Sequence, residues 1–111
     1  MIEKAVHSIK IRLLLVLEEV SKNLEDGKKF YDEREPGIGS YFFDCIISDI
    51  ESLKIYGGIH PRYYGFYRML SNRFPFAIYY SLLEDTVIVA AVLDMRREPA
   101  WIHKKLIKRT Y

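Results

Sequence analysis

Four arginines bracket the most strand-like part of the chain and could together hold an anion. Arg68 and Arg73 precede, and Arg96 and Arg97 follow, two runs rich in β-branched, aromatic and aliphatic residues, FAIYYSLL and TVIVAAVL. A guanidinium group is planar and binds carboxylates and phosphates through two parallel hydrogen bonds. The predicted ligand is therefore a polyanion or an acidic protein, and the alternative is that these arginines are solvated cations at strand ends.

The distribution of charge along the chain gives weaker support to an anionic partner. The net charge is only +2, but residues 1–59 carry eight Lys and Arg against eleven Asp and Glu, a net of −3. Residues 60–111 carry nine against four, a net of +5. A basic half is typical of a face that meets nucleic acid or an acidic partner. A solvated surface of mixed charge would give the same counts.

Length and composition bound the class of protein. A chain of 111 residues predicts a single domain, residues 1–111, with a loosely attached arm at 1–7 and a basic tail at 103–111. The single cysteine, Cys45, excludes an intrachain disulfide and favours a cytoplasmic location. The three histidines lack metal-ligand spacing, and we expect neither a metal nor a cofactor. The apolar run Leu13–Leu17 is too short to span a bilayer, so we expect no membrane partner.

Hydrophobic periodicity predicts a strand and two helices in the first half. Residues 9–16 alternate between apolar side chains and the cations Lys10 and Arg12, as in a strand. The first helix follows, and Ser40 is the expected N-cap of the second. The first helix repeats apolar positions at three- and four-residue steps, at Leu17, Val20, Leu24, Gly27 and Phe30 or Tyr31. The second repeats them at Phe43, Ile46 or Ile47, Ile50 and Leu53, before the pair Gly57–Gly58 ends it.

The second half predicts three consecutive strands. We expect a loop at 60–65, strands at 66–71, 74–82 and 86–95, and a short helix that Pro99 begins. The last strand is almost continuously apolar, as a central strand covered on both faces would be. If Glu84 and Asp85 form a two-residue turn, Arg73 faces Arg96 across the ladder unless a bulge at Pro75 shifts the register.

These elements give an α+β fold in one order. It has an N-terminal strand, an antiparallel helix hairpin and a three-stranded antiparallel meander (β-α-α-β-β-β), closed by a short C-terminal helix. The expected picture is a twisted sheet, backed by paired helices, that carries guanidinium groups at one end.

Several segments of the chain resemble the RelE/ParE family of toxins from bacterial type II toxin–antitoxin systems. They are LEDGKKFYDEREPGIGSYF in the first half, GIHP and RFPFAIYY in the middle, and AVLDMRREPAWI near the end. The resemblance covers roughly residues 9 to 106 and includes the order of helices and strands. It implies a small toxin that a cognate antitoxin neutralises by direct binding.

The resemblance leaves two targets open. RelE-like members cut ribosome-bound mRNA without a metal, and the matching residues here are Arg68 and Arg97, with His60 or Tyr64 as a proton carrier. ParE-like members inhibit DNA gyrase and have no known catalytic set. RelE-like nucleases usually carry a Tyr or His directly after the last strand, where this chain has Arg97-Glu98-Pro99. That departure favours the gyrase-directed reading, with the endoribonuclease as the alternative.

The resemblance also implies a surface for the antitoxin, along the helix hairpin and the sheet. The exposed apolar candidates for this surface are Leu24, Phe30, Tyr31, Tyr41 and Phe42. An acidic antitoxin segment could in addition cover Arg73, Arg96 and Arg97, so that charge pairing adds to packing.

Overall fold

The computed structural model describes residues 10–109, which form one mixed sheet with helices on both faces. The strands are β1 (Leu13–Val16), β2 (Arg62–Tyr63), β3 (Phe66–Leu70), β4 (Phe76–Leu83) and β5 (Thr86–Asp94). The helices are α1 (Glu18–Arg34), α2 (Ile38–Tyr56) and α3 (Pro99–Ile107). This order confirms the predicted fold class. The expected arm at 1–7, the first residue of the expected first strand and the last two residues of the basic tail lie outside the described residues.

Strand β5 is the centre of the sheet, as its continuous apolar run predicts. The strand order is β1-β5-β4-β3-β2, with β5 parallel to β1 and antiparallel to β4. Every residue from 87 to 93 is buried. One face of β5 packs against α1 and α2 through Val20, Leu24, Phe42, Ile46, Ile50 and Leu53. The other face packs against Ile102 and Leu106 of α3.

The β4–β5 hairpin has the predicted turn but a different register at its open end. Leu83 pairs with Thr86 around Glu84-Asp85, and the predicted pairing continues as far as Tyr80 with Val89. An irregularity then shifts the register, so that Tyr79 pairs with Ala91. Pro75 is therefore not the site of the bulge. The strands stop at Phe76 and Asp94, so the expected face-to-face pair of Arg73 and Arg96 does not form within the ladder.

Side chains from the two helical layers satisfy the backbone groups at this irregularity. The extra residue places Ala90 and Ala91 on the same face, toward α3. The guanidinium Nε of Arg109 donates to the Ala90 carbonyl at 3.1 Å, and Arg109 is only 7% exposed. On the opposite face, the Val92 N–H donates to the Asn23 Oδ1 at 3.1 Å. Each side chain supplies a partner to a buried backbone group that would otherwise lose its bond.

The α1–α2 connection is tighter than the sequence suggests. Gly37 adopts φ 96°, and α2 begins at Ile38 rather than after Ser40. The predicted Ser40 cap is wrong because Asp32 of α1 takes that role. Its Oδ1 accepts hydrogen bonds from the N–H groups of Gly37 and Gly39, at 3.2 and 2.7 Å. The Gly39 bond, followed by Lys28, lowers the pKa of Asp32 below its usual range.

The buried face of α2 contains Phe42 in place of the expected Phe43. Phe42 is fully buried, whereas Phe43 is 37% exposed. A Cβ placed on Gly27 would lie 2.5 Å from the Phe42 ring. The absence of a side chain at Gly27 therefore makes room for the Phe42 ring between the helices, which a periodicity count on α2 alone does not reveal.

The expected loop at 60–65 contains a short strand, β2. Tyr63 pairs with Phe66 around a turn in which Tyr64 and Gly65 have φ values of 56° and 86°. A left-handed backbone is uncommon for an aromatic residue, so this turn carries no clear sequence signal.

The contact of Gly27 with Phe42 predicts an unusual effect of a glycine substitution. Gly27→Ala should gain up to about 1 kcal/mol of helix propensity. It should lose about 1–3 kcal/mol through overpacking against the ring. We expect a net fall of about 1 kcal/mol in the free energy of unfolding, measured by urea denaturation. Ser21→Ala, at an exposed position of the same helix, is the control and should change it little. The double variant Gly27→Ala/Phe42→Leu should recover part of the free energy of unfolding that overpacking removes. An increase in the free energy of unfolding by Gly27→Ala alone would contradict this packing.

Candidate functional site

A group of packed aromatic side chains lies where the open end of the β4–β5 hairpin meets the α1–α2 turn. We call it the aromatic cluster, and its members are Phe30, Tyr31, Tyr41, Phe42, Phe74 and Phe76. Neighbouring ring centroids lie between 4.9 and 6.3 Å apart, mostly in edge-to-face or tilted arrangements. Aromatic pairs of this geometry add roughly 0.5–1.5 kcal/mol beyond the area they bury. The cluster therefore fixes the end of the sheet at which the chain leaves β5.

Three arginines surround the aromatic cluster, and we call them the arginine rim. Arg34 Cζ lies 3.9 Å from the centroid of the Phe30 ring, and Arg96 Cζ lies 5.5 Å from it. Arg73 donates to the Tyr41 hydroxyl at 2.8 Å. Cations against aromatic faces are held in place by attraction to the ring. The structure thus places the predicted Arg73 and Arg96 at one end of the sheet and adds Arg34, which no sequence motif singled out.

Asp94 neutralises one member of the rim. The Arg96 side chain donates to both Asp94 carboxylate oxygens, at 3.0 and 2.8 Å, and its backbone N–H donates at 2.9 Å. Burial raises the pKa of Asp94, but these bonds from Arg96 outweigh it, so the pKa lies below its usual range. Within residues 10–109, Arg34 and Arg73 have no carboxylate within 4.0 Å. The rim therefore keeps two cations that an external anion could bind.

Arg97 follows Arg96 directly but packs on a different ring from the members of the arginine rim. Its Cζ lies 3.9 Å from the centroid of the Trp101 ring, and Lys105 Nζ lies 5.4 Å from the same ring. These residues line a groove between α1 and α3. No contact joins Arg97 to Arg68 in the part of the chain that the structure describes. The two arginines matched to nuclease residues thus pack on different rings, Tyr63 and Trp101.

Arg68 belongs to a second group, the tyrosine cluster, on the α3 face of the sheet. Its members are Tyr63, Tyr64, Arg68, Tyr79 and His103. Arg68 Cζ lies 3.7 Å from the centroid of the Tyr63 ring, and Arg68 pairs with Tyr79 across β3 and β4. Tyr64 stacks on His103 with centroids 4.5 Å apart and planes 16° apart.

One buried polar atom of the tyrosine cluster lacks a hydrogen-bond partner in the described part of the chain. Arg68 Nε is buried and makes no hydrogen bond within the described residues. Burial raises the pKa of the Tyr79 phenol, and Arg68 only partly opposes this. Tyr79 is only 1% exposed and its O–H already donates to the Met95 Sδ at 3.6 Å, so it is not available to a bound ligand. Chemically, the cluster can bind a phosphate through Arg68 and stack a planar group on exposed rings.

His60 is tied to the sheet by a buried hydroxyl. Its Nδ1 lies 2.6 Å from the Tyr80 hydroxyl, which also accepts the Gly58 N–H at 2.9 Å. The Tyr80 O–H then has Nδ1 as its acceptor, so we assign the imidazole proton to Nε2. Burial lowers the pKa of His60. These bonds hold the segment of chain that leads into β2, and they leave Nε2 as the ring nitrogen not engaged by Tyr80.

The five apolar residues expected on the partner surface separate into buried and accessible ones. Leu24 and Phe42 are only 5% and 0% exposed and pack in the core, so the expectation that they are exposed is wrong. They occupy the inner face of the helix hairpin, against the sheet. Phe30 and Tyr31 are half-buried, and Tyr41 is 43% exposed. Of these five, the accessible residues are aromatic and lie beside the arginine rim: Phe30 contacts Arg34 and Arg96, and Tyr41 contacts Arg73.

Residues 10–109 carry neither a membrane-spanning helix nor a cluster of metal ligands. No helix there is long and apolar enough to cross a membrane. The same residues contain no group of three or more His, Cys, Asp or Glu side chains placed to hold a metal ion.

Comparison with known proteins gives a structural match but no sequence match. No protein-family model matches the chain, and no curated protein matches it. Among solved structures, a similar chain is described as "Chromosomal ParDE TA system from P. aeruginosa". The two share 14% sequence identity with a TM-score of 0.66, over 75% of this chain and 95% of the other. At this identity the likeness establishes a common fold.

The burial of His60 predicts a pH dependence of stability. An unfolded histidine titrates near pH 6.5, whereas His60 in the folded protein titrates at a lower pH. As the pH falls from about 6.5 toward that lower value, the unfolded state binds a proton and the folded state does not. The free energy of unfolding should therefore fall over this window, and the contribution of His60 should be fully present above it.

Urea denaturation of the wild type and of His60→Gln at about pH 7 and about pH 5 measures this contribution. The other titrating groups are common to both proteins, so the difference isolates His60. The wild type should lose more stability on acidification than the variant. Equal losses in the two proteins would contradict the lowered pKa that burial gives His60.

Proposed function

We propose that this protein is the toxin of a type II toxin–antitoxin system of the RelE/ParE type, kept inactive in the cytoplasm by direct binding of a cognate antitoxin. Two independent observations support the proposal. The motifs of the chain resemble that family, and the fold matches a chain described as part of a ParDE system. The arginine rim adds an accessible cationic surface of the kind that an acidic partner protein would bind.

We further propose that the toxin inhibits growth by binding DNA gyrase, as a ParE-like protein, rather than by cleaving a substrate. The observation that carries this proposal is that Arg68 and Arg97 pack on different rings and that no contact joins them within residues 10–109. Cleavage of RNA through its 2′-hydroxyl needs a base, an acid and cations arranged around one phosphate. Here Arg68 packs on Tyr63 of the β2–β3 turn, and Arg97 packs on Trp101 of α3. Two cations held on different rings do not supply that arrangement.

The tyrosine cluster favours a second candidate function, a ribosome-dependent mRNA endoribonuclease that works without a metal. Arg68 could neutralise the charge that develops on the phosphate, and Tyr63 or the Tyr64–His103 stack could hold a base. In this alternative the proton carrier would be Tyr64, His103 or the Nε2 of His60. This chemistry would use Arg68 without Arg97.

Induced expression without antitoxin distinguishes the two functions. For the gyrase-directed toxin we expect growth arrest, and the purified protein should inhibit DNA supercoiling. The variant Arg68→Gln should keep both effects, as should the control Arg62→Gln, which removes a neighbouring cation that packs on Tyr67. The endoribonuclease instead predicts new mRNA ends at fixed codon positions, which Arg68→Gln should abolish, and no effect of the purified protein on supercoiling. That result would contradict the gyrase-directed function and support the endoribonuclease. Normal growth of cells that contain soluble, folded protein would contradict both proposed functions.

The arginine rim predicts a charge-dependent affinity for the antitoxin. Neutralising Arg34, Arg73 and Arg96 together to glutamine should weaken binding by about tenfold or more, since each exposed ion pair contributes roughly 0.2–1 kcal/mol. The loss should shrink as salt is added, because salt screens exposed charges. Binding is measured by calorimetry on the purified pair.

A control with the same change in net charge separates the rim from a general electrostatic effect. Lys54, Arg62 and Lys108 are exposed and lie outside the rim, and neutralising them to glutamine should weaken binding much less. Similar losses in the two triple variants would show that the rim has no special role.

A further inference from the structure

An open groove separates α1 from α3 at the end of the sheet next to the arginine rim. It has a volume of about 270 Å³, and buried Gly27 and Val92 form part of its floor. Its walls and rim include Lys22, Asp26, Phe30, Arg97, Trp101 and Lys105. The volume suits one or two side chains and lies just below the range of about 300–1,000 Å³ that is typical of small-molecule pockets.

Helical spacing places these groups on two facing walls. Lys22, Asp26 and Phe30 recur every four residues along one face of α1, and Trp101 and Lys105 are likewise four apart on α3. Phe30 and Trp101 are both half-buried and provide an aromatic ring on each side. The Phe30 ring is held by Arg34 on one side and the Trp101 ring by Arg97, so both rings are already fixed in place.

The charges that line the groove do not balance once the internal ion pairs are removed. Glu19 lies 3.5 Å from Arg109, and Asp94 is bound by Arg96 at 2.8 Å. Within residues 10–109, Lys22, Arg97 and Lys105 have no carboxylate within 4.0 Å. Among the described lining residues, four cations (Lys22, Arg97, Lys105 and Arg109) face three carboxylates (Glu19, Asp26 and Asp94), a net charge of +1. Arg97 also acts on Asp94, whose pKa it helps to lower. An occupant that carries negative charge would therefore complement the groove.

We propose that this groove binds a segment of a partner protein in which an aromatic or large aliphatic side chain is flanked by carboxylates. The apolar side chain lies between Phe30 and Trp101, and the carboxylates bind Arg97 and Lys105. The aromatic walls select the apolar part and the unpaired cations select the acidic part. The proposal rests on the proposed function only in identifying the partner as the antitoxin.

Trp101 is the only tryptophan of the chain, so its fluorescence reports occupancy of the groove directly. The probe is the capped peptide acetyl-Glu-Phe-Glu-amide, and its neutral counterpart is acetyl-Gln-Phe-Gln-amide. A ligand of this size should bind with a dissociation constant on the order of 1 mM. We expect a saturable change in Trp101 emission with the acidic peptide and about three- to tenfold weaker binding of the neutral one.

Two variants and a matched control locate the binding. Arg97→Gln and Lys105→Gln should each weaken binding of the acidic peptide about two- to fivefold. Lys104→Gln removes the same charge from the same helix but from a residue that does not line the groove, and it should leave the affinity unchanged. Equal affinity for the two peptides, or equal affinity of Arg97→Gln and Lys104→Gln, would overturn the proposal. The proposal would also be overturned if the acidic peptide caused no saturable change in Trp101 emission and left the amide NMR shifts of residues 22–30 and 101–105 unchanged.

The peptide titration is independent of toxicity. Failure of the proposed function would appear as normal growth with peptide binding intact. Failure of the groove proposal would appear as growth arrest by a protein that does not distinguish the two peptides.

Discussion

The burial of β5 on both faces is the constraint on which the rest of the structure depends. A seven-residue stretch of this strand, 87–93, is buried without interruption, so the sheet needs a helical layer on each side. The helix hairpin covers one face and α3 covers the other. Burial of a single large aliphatic side chain is worth roughly 1.5–3 kcal/mol, so uncovering either face would remove a large part of the stability of a small domain.

This constraint also decides where polar chemistry can occur. Since β5 is covered along its length, charged side chains gather where the chain leaves it, at Asp94, Arg96 and Arg97. The helices contribute from both sides, with Phe30 and Arg34 from α1 and Trp101 and Lys105 from α3. The arginine rim and the α1–α3 groove are therefore two parts of one end of the molecule. The tyrosine cluster forms separately, where the β2–β3 turn meets the outer side of α3.

Much of the fold follows from patterns that involve only local residues. The helix periodicity, the two-residue turn at Glu84-Asp85, the continuous apolar run of β5 and the proline that begins α3 are read directly from the chain. The errors arise where a residue depends on a distant one. Ser40 is displaced as a cap by Asp32 of the preceding helix, Phe42 is buried because Gly27 leaves room for it, and the bulge depends on Asn23 and Arg109.

The candidate sites were harder to predict from the sequence for the same reason. The motifs identified Arg68, Arg73, Arg96 and Arg97 but not their different surroundings, because ring contacts join segments far apart in the chain. Arg34 follows Phe30 by four residues and Trp101 precedes Lys105 by four, which is a signal for neighbours on a helix face. It becomes informative only once α1 and α3 are known to border the same groove.

The central claim is that an acidic partner protein binds this protein at the end of the sheet where the arginine rim and the α1–α3 groove meet. Hydrogen–deuterium exchange of the protein, free and in complex with its cognate antitoxin, tests the claim most directly. The account predicts new protection of backbone amides concentrated in residues 22–34 and 94–105. Protection confined to residues 55–70, with those two segments unchanged, would contradict it.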